Sequence, residues 1–197
     1  MSIKDKGTEQ LIKDTAKKIF FAEGKLHATT QDIADAAGVN RTLVHYYFRS
    51  RKLLFEQVTE EAMDELRHMM TDAFTGTQSF KEKLKKLINV FMDQTIAYPY
   101  REMFLITETN RYDTEHAEQV HDTHTKPFLA EIKAEMDKGN IKAIDPRHFM
   151  MNLFALMAYP LLSSRLSKGF MRISDNEYLK LMKQRKQLIF EMIYPQE

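Results

Sequence analysis

The chain has no cysteine among its 197 residues. That excludes a disulfide scaffold, a thiol nucleophile and a thiolate metal site. No apolar run approaches the ~20 residues that span a bilayer, so no transmembrane helix is expected. The first residues are polar and charged with no apolar run behind them, so no signal peptide is expected. Net charge is almost absent, +1 at pH 7. Strand alternation, repeats and low-complexity tracts are missing. So are catalytic signatures: there is no phosphate-binding glycine loop, no His-Glu-x-x-His and no nucleophile elbow. Ser163-Ser164 and the scattered carboxylates have no evident base partner. The expectation from these absences is a soluble, cytoplasmic protein that is not an enzyme and carries no cofactor.

What is present is helical periodicity, in a chain whose 43% hydrophobic residues can build a real core. The expected fold is all-α. Leu11, Ile12, Thr15, Ala16, Ile19 and Phe20 mark one face of a first helix ending near Glu23-Gly24. Ser50 can cap a long helix from Arg51 to about Phe74, with Leu54, Val58, Ala62, Leu66, Met69 and Ala73 inward. At ~1.5 Å per residue that helix spans roughly 35 Å, enough to link two domains. Gly76 to Ser79 breaks it. Helices are expected at about 79–97 and 101–110, around Pro127 to Lys138, from Asp145-Pro146 to about Ser167, and at about 175–193. Pro146 suits a first helical position, while Pro160 predicts a kink.

The most informative stretch runs from Thr30 to Arg49. Thr30 can cap a short helix whose Ile33, Ala34 and Ala37 face inward. Gly38 follows, where a helix ends most cheaply in a left-handed conformation. Asn40 can cap the next helix, Arg41 to Phe48, with Val39, Val44 and Phe48 inward. Arg41, Thr42, His45 and Tyr46 are left on the outer face. Those residue types reach bases and phosphates. A plain helical hairpin also allows Ala-x-x-x-Gly, but the cap, small residue, glycine turn, second cap and basic-aromatic helix together are far more specific. This is the shape of a helix-turn-helix, whose second helix lies in the DNA major groove. Charge supports it. Residues 1–52 carry ten Lys/Arg against six Asp/Glu, whereas residues 53–75 carry one against six. A basic unit abuts an acidic helix.

Thr29-Thr30-Gln31-Asp32-Ile33-Ala34, then Ala37-Gly38-Val39, then Tyr46 to Leu54, resembles the N-terminal domain of TetR-family transcriptional regulators. The resemblance covers about a quarter of the chain. It implies a three-helix DNA-binding head (1–52) and a helical effector-binding and dimerisation domain (53–197), joined by the long helix 51–74. By position, the family's DNA contacts fall on Thr30, Gln31, Arg41, Thr42, Leu43, His45, Tyr46, Tyr47 and Arg51. Thr42 stands where the family often has Gly or Ala, and His45 where it often has Tyr, which leaves the operator sequence open. The implied function is a ligand-released repressor that binds a near-palindromic double-stranded operator as a homodimer. Ligand would shift the helix near 101–110, and the long helix would carry that shift to the head.

The resemblance also implies a small-molecule pocket in the second domain. Its Met and aromatic residues supply candidates: Phe91, Met103, Phe104, Phe128, Phe154 and Met157, with Gln94 and Glu108 as polar groups and Asn110 and Arg111 as alternatives. Most such apolar residues are simply core. The last two helices would pair with their twofold mates through Phe149, Leu153, Leu156, Leu181, Leu188 and Met192. His116, His121 and His124 invite a metal reading, but no firm third-ligand pattern accompanies the i,i+3 pair, and no metal is expected. Two rival readings stay open: a DNA-binding protein whose second domain only dimerises, and a helical enzyme with an incidental hairpin.

Overall fold

The computed structural model describes residues 3–108 and 121–194, and among them are ten α-helices and no strand. The chain divides into two units. One comprises residues up to His68 with Tyr98–Arg101; the other comprises Met69–Ala97 and the chain from Glu102 onward. The division falls within the long helix expected to link two domains, whose early turns complete the first unit's core.

In the first unit, α1 (Ile3–Lys17) continues through a single π turn, Lys18–Ala22. Ile12, Ala16, Ile19 and Phe20 are buried as the periodicity predicts, while Leu11 is exposed. A π turn holds more residues than an α turn, so Phe21 also turns inward beside Phe20. Two short helices follow, α2 (Thr30–Ala37) and α3 (Arg41–Phe48). The long α4 spans Arg51–Thr75. The Ser50 hydroxyl accepts from the Leu53 N–H at 3.2 Å, as expected of its cap. Leu54, Val58 and Ala62, four residues apart, enter the core. Phe55 meets Phe20 edge-on, with centroids 4.9 Å apart.

The acidic stretch of α4 has an internal use. Lys13 donates to Glu61 at 2.5 Å, and Lys17 donates to Glu65. The ammonium of Lys17 also lies 4.9 Å from the Tyr98 ring. Pairs with one half-exposed partner are worth little each. Their larger effect is to neutralise lysines of α1 that the raw charge count assigns to a basic surface.

The second unit contains the end of α4, then α5 (Phe80–Ala97), all but the first turn of α6 (Pro99–Glu108), and α7 (Lys126–Asp137), which a π turn (His121–Thr125) precedes. Next come α8 (Pro146–Leu162), α9 (Ser164–Met171) and α10 (Asp175–Ile193). Pro99 opens α6 rather than separating two helices, which suits a residue without an N–H. Ser79 and Glu82 form a reciprocal cap on α5. Phe128 is fully buried, 4.6 Å from Phe74 and 5.6 Å from Phe80 between ring centroids. Asp145 caps α8 through the Arg147 N–H at 2.8 Å. The Arg147 guanidinium and N–H together hold its carboxyl well below the ordinary carboxylate range.

Where one helix is expected to about Ser167, there are two, parted at Ser163. Pro160 explains the break. It has no N–H, so the Leu156 carbonyl four residues earlier loses its helical donor. Arg185 of α10 supplies a substitute, its Nε donating to Leu156 O at 3.0 Å. The Tyr178 hydroxyl, also from α10, donates to the Pro160 carbonyl. The last helix is therefore tied to α8 around its proline.

This pairing sets up a double-mutant test. Arg185→Ala should cost about 1–3 kcal/mol, the penalty of a buried carbonyl left without a donor. In a Pro160→Ala background residue 160 has its own N–H, and Arg185→Ala should cost distinctly less. Urea denaturation followed by circular dichroism measures both. Equal costs in the two backgrounds would mean that Arg185 stabilises by some other contact.

Candidate nucleic-acid interface

Three backbone termini must be satisfied within about a dozen residues for α2 and α3 to pack, and local side chains or backbone satisfy all three. Thr29, not the expected Thr30, is the N-cap of α2. Its hydroxyl accepts from the Asp32 N–H at 3.2 Å, and its own N–H donates to the Asp32 carboxylate at 2.7 Å. Thr29's N–H and hydroxyl hold the Asp32 carboxyl below its ordinary pKa. The cap is therefore complete above the usual carboxylate range and is lost as acid protonates Asp32. At the other end Gly38 adopts φ 65°, and Val39 N–H reaches the Ala34 carbonyl at 3.0 Å. Nothing would touch a Cβ at Gly38, so only its left-handed backbone requires glycine. Asn40 then caps α3 through the Thr42 N–H at 2.8 Å.

Ile33 and Ala34 of α2 and Val44 and Phe48 of α3 are buried. Val39 is half-buried. Turning those faces inward leaves Arg41, Thr42, Leu43, His45 and Tyr46 exposed on α3. Tyr47 is half-buried and meets Tyr46 edge-on at 5.1 Å, so it braces the helix and shows only part of its ring outward. At the start of α2, Thr30 is half-buried, while Gln31 is exposed and donates to Asp35 at 2.7 Å. Arg41 has no ion-pair partner among the described residues.

Arg51, expected at a phosphate, is engaged within the first unit. Its Nε donates to the Ala28 carbonyl at 2.8 Å, and a terminal nitrogen donates to the Leu26 carbonyl. Its guanidinium carbon also lies 5.7 Å from the Phe20 ring centroid and 5.5 Å from that of Phe55. The segment entering α2 presents carbonyls that no helix donor reaches, and the guanidinium fork fills that need. A basic residue at a helix start reads in sequence as a phosphate contact; here it holds the first unit together.

Two exposed cations escaped the sequence reading. Arg49 follows α3 with a φ of 61°, rare for a residue other than glycine. Its N–H donates to the His45 carbonyl at 2.9 Å, which fixes its place just beyond the exposed face. Lys52 is exposed and only loosely paired with Glu56, at 3.7 Å. No pattern announces a left-handed arginine, although its charge was legible.

The model of a family described as bacterial regulatory proteins, tetR family, matches residues 12–58, which run from α1 into α4. Residues 12–58 are thus similar to the tetR-family domain, and the fold of the chain is similar to that of tetR-type regulators. Solved structures agree on the fold. A TetR family transcription regulator from Marinobacter aquaeolei is 15% identical, with both chains covered completely and a TM-score of 0.58. The TetR family regulator PfmR from Thermus thermophilus is 14% identical over 95% of this chain and 96% of its own, with a TM-score of 0.58. A putative fatty acid metabolism regulator from Clostridium perfringens is 20% identical over 94% and 100%, with a TM-score of 0.53. No curated protein matches the sequence.

In the second unit of this tetR-type fold, the expected pocket residues have scattered roles. Phe128 and Met157 are fully buried, and Phe91 is buried edge-on to Phe154 at 5.5 Å. Met103 is exposed; Gln94 and Phe104 are half-buried. The side chain of Glu108 and all of Asn110 and Arg111 lie outside the described residues, as do His116 and the side chain of His121. His124 is half-buried, and among the described residues no three metal-ligating side chains cluster. Of the expected interface residues, Phe149 and Leu153 are buried in the unit's own core because they continue the inward stripe with Met157 and Leu161. Leu156 is half-buried, whereas Leu181, Leu188 and Met192 are exposed. Met151 and Tyr159 carry the exposed apolar surface of α8 instead.

Two substitutions separate clamp from contact. Arg51→Ala should lower stability by roughly 1.5–3 kcal/mol, the usual worth of a hydrogen bond to a charged group. Arg41→Ala should stay within about 0.5 kcal/mol of wild type, as expected of an exposed side chain. Thermal unfolding of the two proteins decides it. An Arg51→Ala protein as stable as wild type would return that residue to the outer surface.

Proposed function

We propose that this protein is a DNA-binding transcriptional regulator, acting in the cytoplasm as a ligand-released repressor on a near-palindromic operator. The observation that carries the reading is the outer face of α3. Arg41, Thr42, His45 and Tyr46 stand exposed on a short helix whose angle to α2 is fixed by three satisfied termini. Arg41 lies in the first turn, where base edges are most accessible, and its fork matches O6 and N7 of guanine. Arg49, Lys52, Gln31 and Thr30 are suited to phosphates, which position the helix without reading sequence. With Lys13 and Lys17 neutralised inside the first unit, Arg41 and Arg49 supply the positive charge at α3.

Homodimer formation rests on apolar surface left open in one chain. Leu181, Leu188 and Met192 are 41%, 53% and 68% exposed along α10, and Tyr159 on α8 is 64% exposed. Tyr159 and Met192 line a groove of about 470 Å³ between these helices. A second copy covering this face would bury both sets. A twofold pair then offers two recognition helices to successive major grooves, roughly 34–36 Å apart. An effector can release such a dimer only by binding its DNA-incompetent state more tightly.

A second reading, with a unit that only dimerises, draws support from the packing of Phe91, Phe128 and Met157 into core rather than around an opening. Effector control distinguishes the two. A ligand that weakens operator binding and raises the melting temperature supports release; a protein indifferent to every ligand class tested supports dimerisation alone.

Selection of binding sites from random duplex DNA tests the main reading. Wild type should return an inverted repeat, and Arg41→Ala should relax one position in each half, a change worth ~1–3 kcal/mol of discrimination. An unchanged consensus at uniformly lower affinity would make Arg41 a phosphate contact. No enrichment at all would remove DNA binding. Leu188→Asp should yield monomers that lose tight operator binding, because the half-sites are no longer engaged jointly. Sedimentation showing an intact dimer would place the interface elsewhere.

A further inference from the structure

A second groove, of about 290 Å³, lies between α5 and α10 within the second unit. It differs in chemistry from the apolar groove between α8 and α10. Lys85 reaches it from α5, and Lys183 and Lys186 from α10, with Asn89 beside them and Ile88 and Phe190 lining it below. Ile88 and Phe190 are almost fully buried, so the lysines stand over a low-dielectric floor. Such a cleft focuses positive potential. Two acids of α5 offset part of it. Lys186 is paired with Asp93. Glu82 lies one turn before Lys85; Ser79 holds its carboxyl low first, and the Lys85 charge adds to that. Lys85 lies over the Phe190 ring at 4.7 Å, a contact that leaves its three donors available. Lys183 has no ion-pair partner among the described residues.

We propose that this groove binds a small oxyanion of two or more negative charges, gripped by Lys85 and Lys183 from opposite walls and oriented by the Asn89 amide. Ammonium groups lining one groove repel, and an anion bound between them relieves that repulsion. Ammonium and amide donors match the acceptor oxygens of phosphate or carboxylate groups. The volume sits at the lower end of small-molecule sites, which favours a compact ligand over a polymer. On α10, at 3.6 residues per turn, Lys183 and Lys186 lie on one flank of the buried stripe, while Leu181, Leu188 and Met192 lie on the other. The groove therefore stays open when the apolar flank is covered, and this site does not depend on the proposed effector pocket or on DNA binding.

Isothermal titration of the full chain with inorganic pyrophosphate and, separately, with citrate tests the site at constant ionic strength. Wild type should bind pyrophosphate saturably, one per chain, and the Lys85→Gln/Lys183→Gln protein at least tenfold more weakly. Both side chains are exposed, so the double variant should melt with wild type in the absence of anion. Arg41→Ala should bind like wild type, which separates this groove from the cations of the first unit. Amide chemical-shift changes on wild type, confined to α5 and α10, give a readout independent of any variant. Binding of pyrophosphate alone identifies phosphate chemistry, and equal binding of citrate identifies charge as the criterion. No saturable binding of either anion, or equal affinity in the double variant, overturns the proposal.

Discussion

The first unit depends on one guanidinium. Arg51 begins α4, yet its nitrogens serve the carbonyls of Leu26 and Ala28 on the segment that enters α2. Its plane also lies near Phe20 of the π turn and Phe55 of α4. One side chain thus ties α4 to the π turn and to the segment that follows it, both more than twenty residues earlier in the chain. An ammonium could not do the same, because it lacks the rigid fork that reaches two carbonyls at once. The angle at which α2 meets α3 is set locally by Thr29, Gly38 and Asn40. Where that pair sits on α1 and α4 depends on the clamp.

The second unit solves the same problem with another arginine. Pro160 removes a donor from α8, and Arg185 returns one to the Leu156 carbonyl from a different helix. Backbone carbonyls without donors are costly to bury, so each break in a helix creates a demand that some side chain must meet. Both arginines read first as surface charge. In the folded chain their value lies in donor number and planarity. Lys83 is not surface charge either: it is buried and donates to both oxygens of Glu131, at 2.7 and 3.0 Å. Counting charges along a sequence therefore overstates the basic surface available to a polyanion.

Much of the fold was legible because it rests on short-range rules. The glycine turn, the Asn40 and Ser50 caps and the final helix follow from residues within one turn of each other. Misplaced features depend on distant partners. The Thr29 cap is an exception, a local signal passed over: Thr29, and not Thr30, has a carboxylate three residues on, in Asp32, to complete a reciprocal cap. The inward stripe of α8 was visible as apolar, but its period does not say whether Phe149 and Leu153 face their own chain or a second copy. Core and interface use the same residue types, and only exposure in the single chain separates Phe149 from Leu188. For the site, the outer face of α3 was readable because burying Val44 and Phe48 forces Arg41, Thr42 and His45 outward. Arg51 was not, because its acceptors lie more than twenty residues away.

The two flanks of α10 show why one helix needs more than one label. Its buried stripe, Tyr178, Met182, Ile189 and Phe190, belongs to the unit's core. On one side of that stripe Leu181, Leu188 and Met192 are exposed; on the other Lys183 and Lys186 follow Leu179. An amphipathic helix serving a single surface needs only two faces, one apolar and one polar. Three faces imply three different surroundings. Exposed Leu188 and Met192 are costly in water and gain by being covered. Exposed Lys183 is well solvated and loses if an apolar surface covers it. The lysine flank therefore disfavours a second copy docking there and directs it to the other side. In the proposed dimer, the charges over α5 and α10 would help define the apolar interface by keeping the remaining surface wet, whether or not an anion occupies the groove.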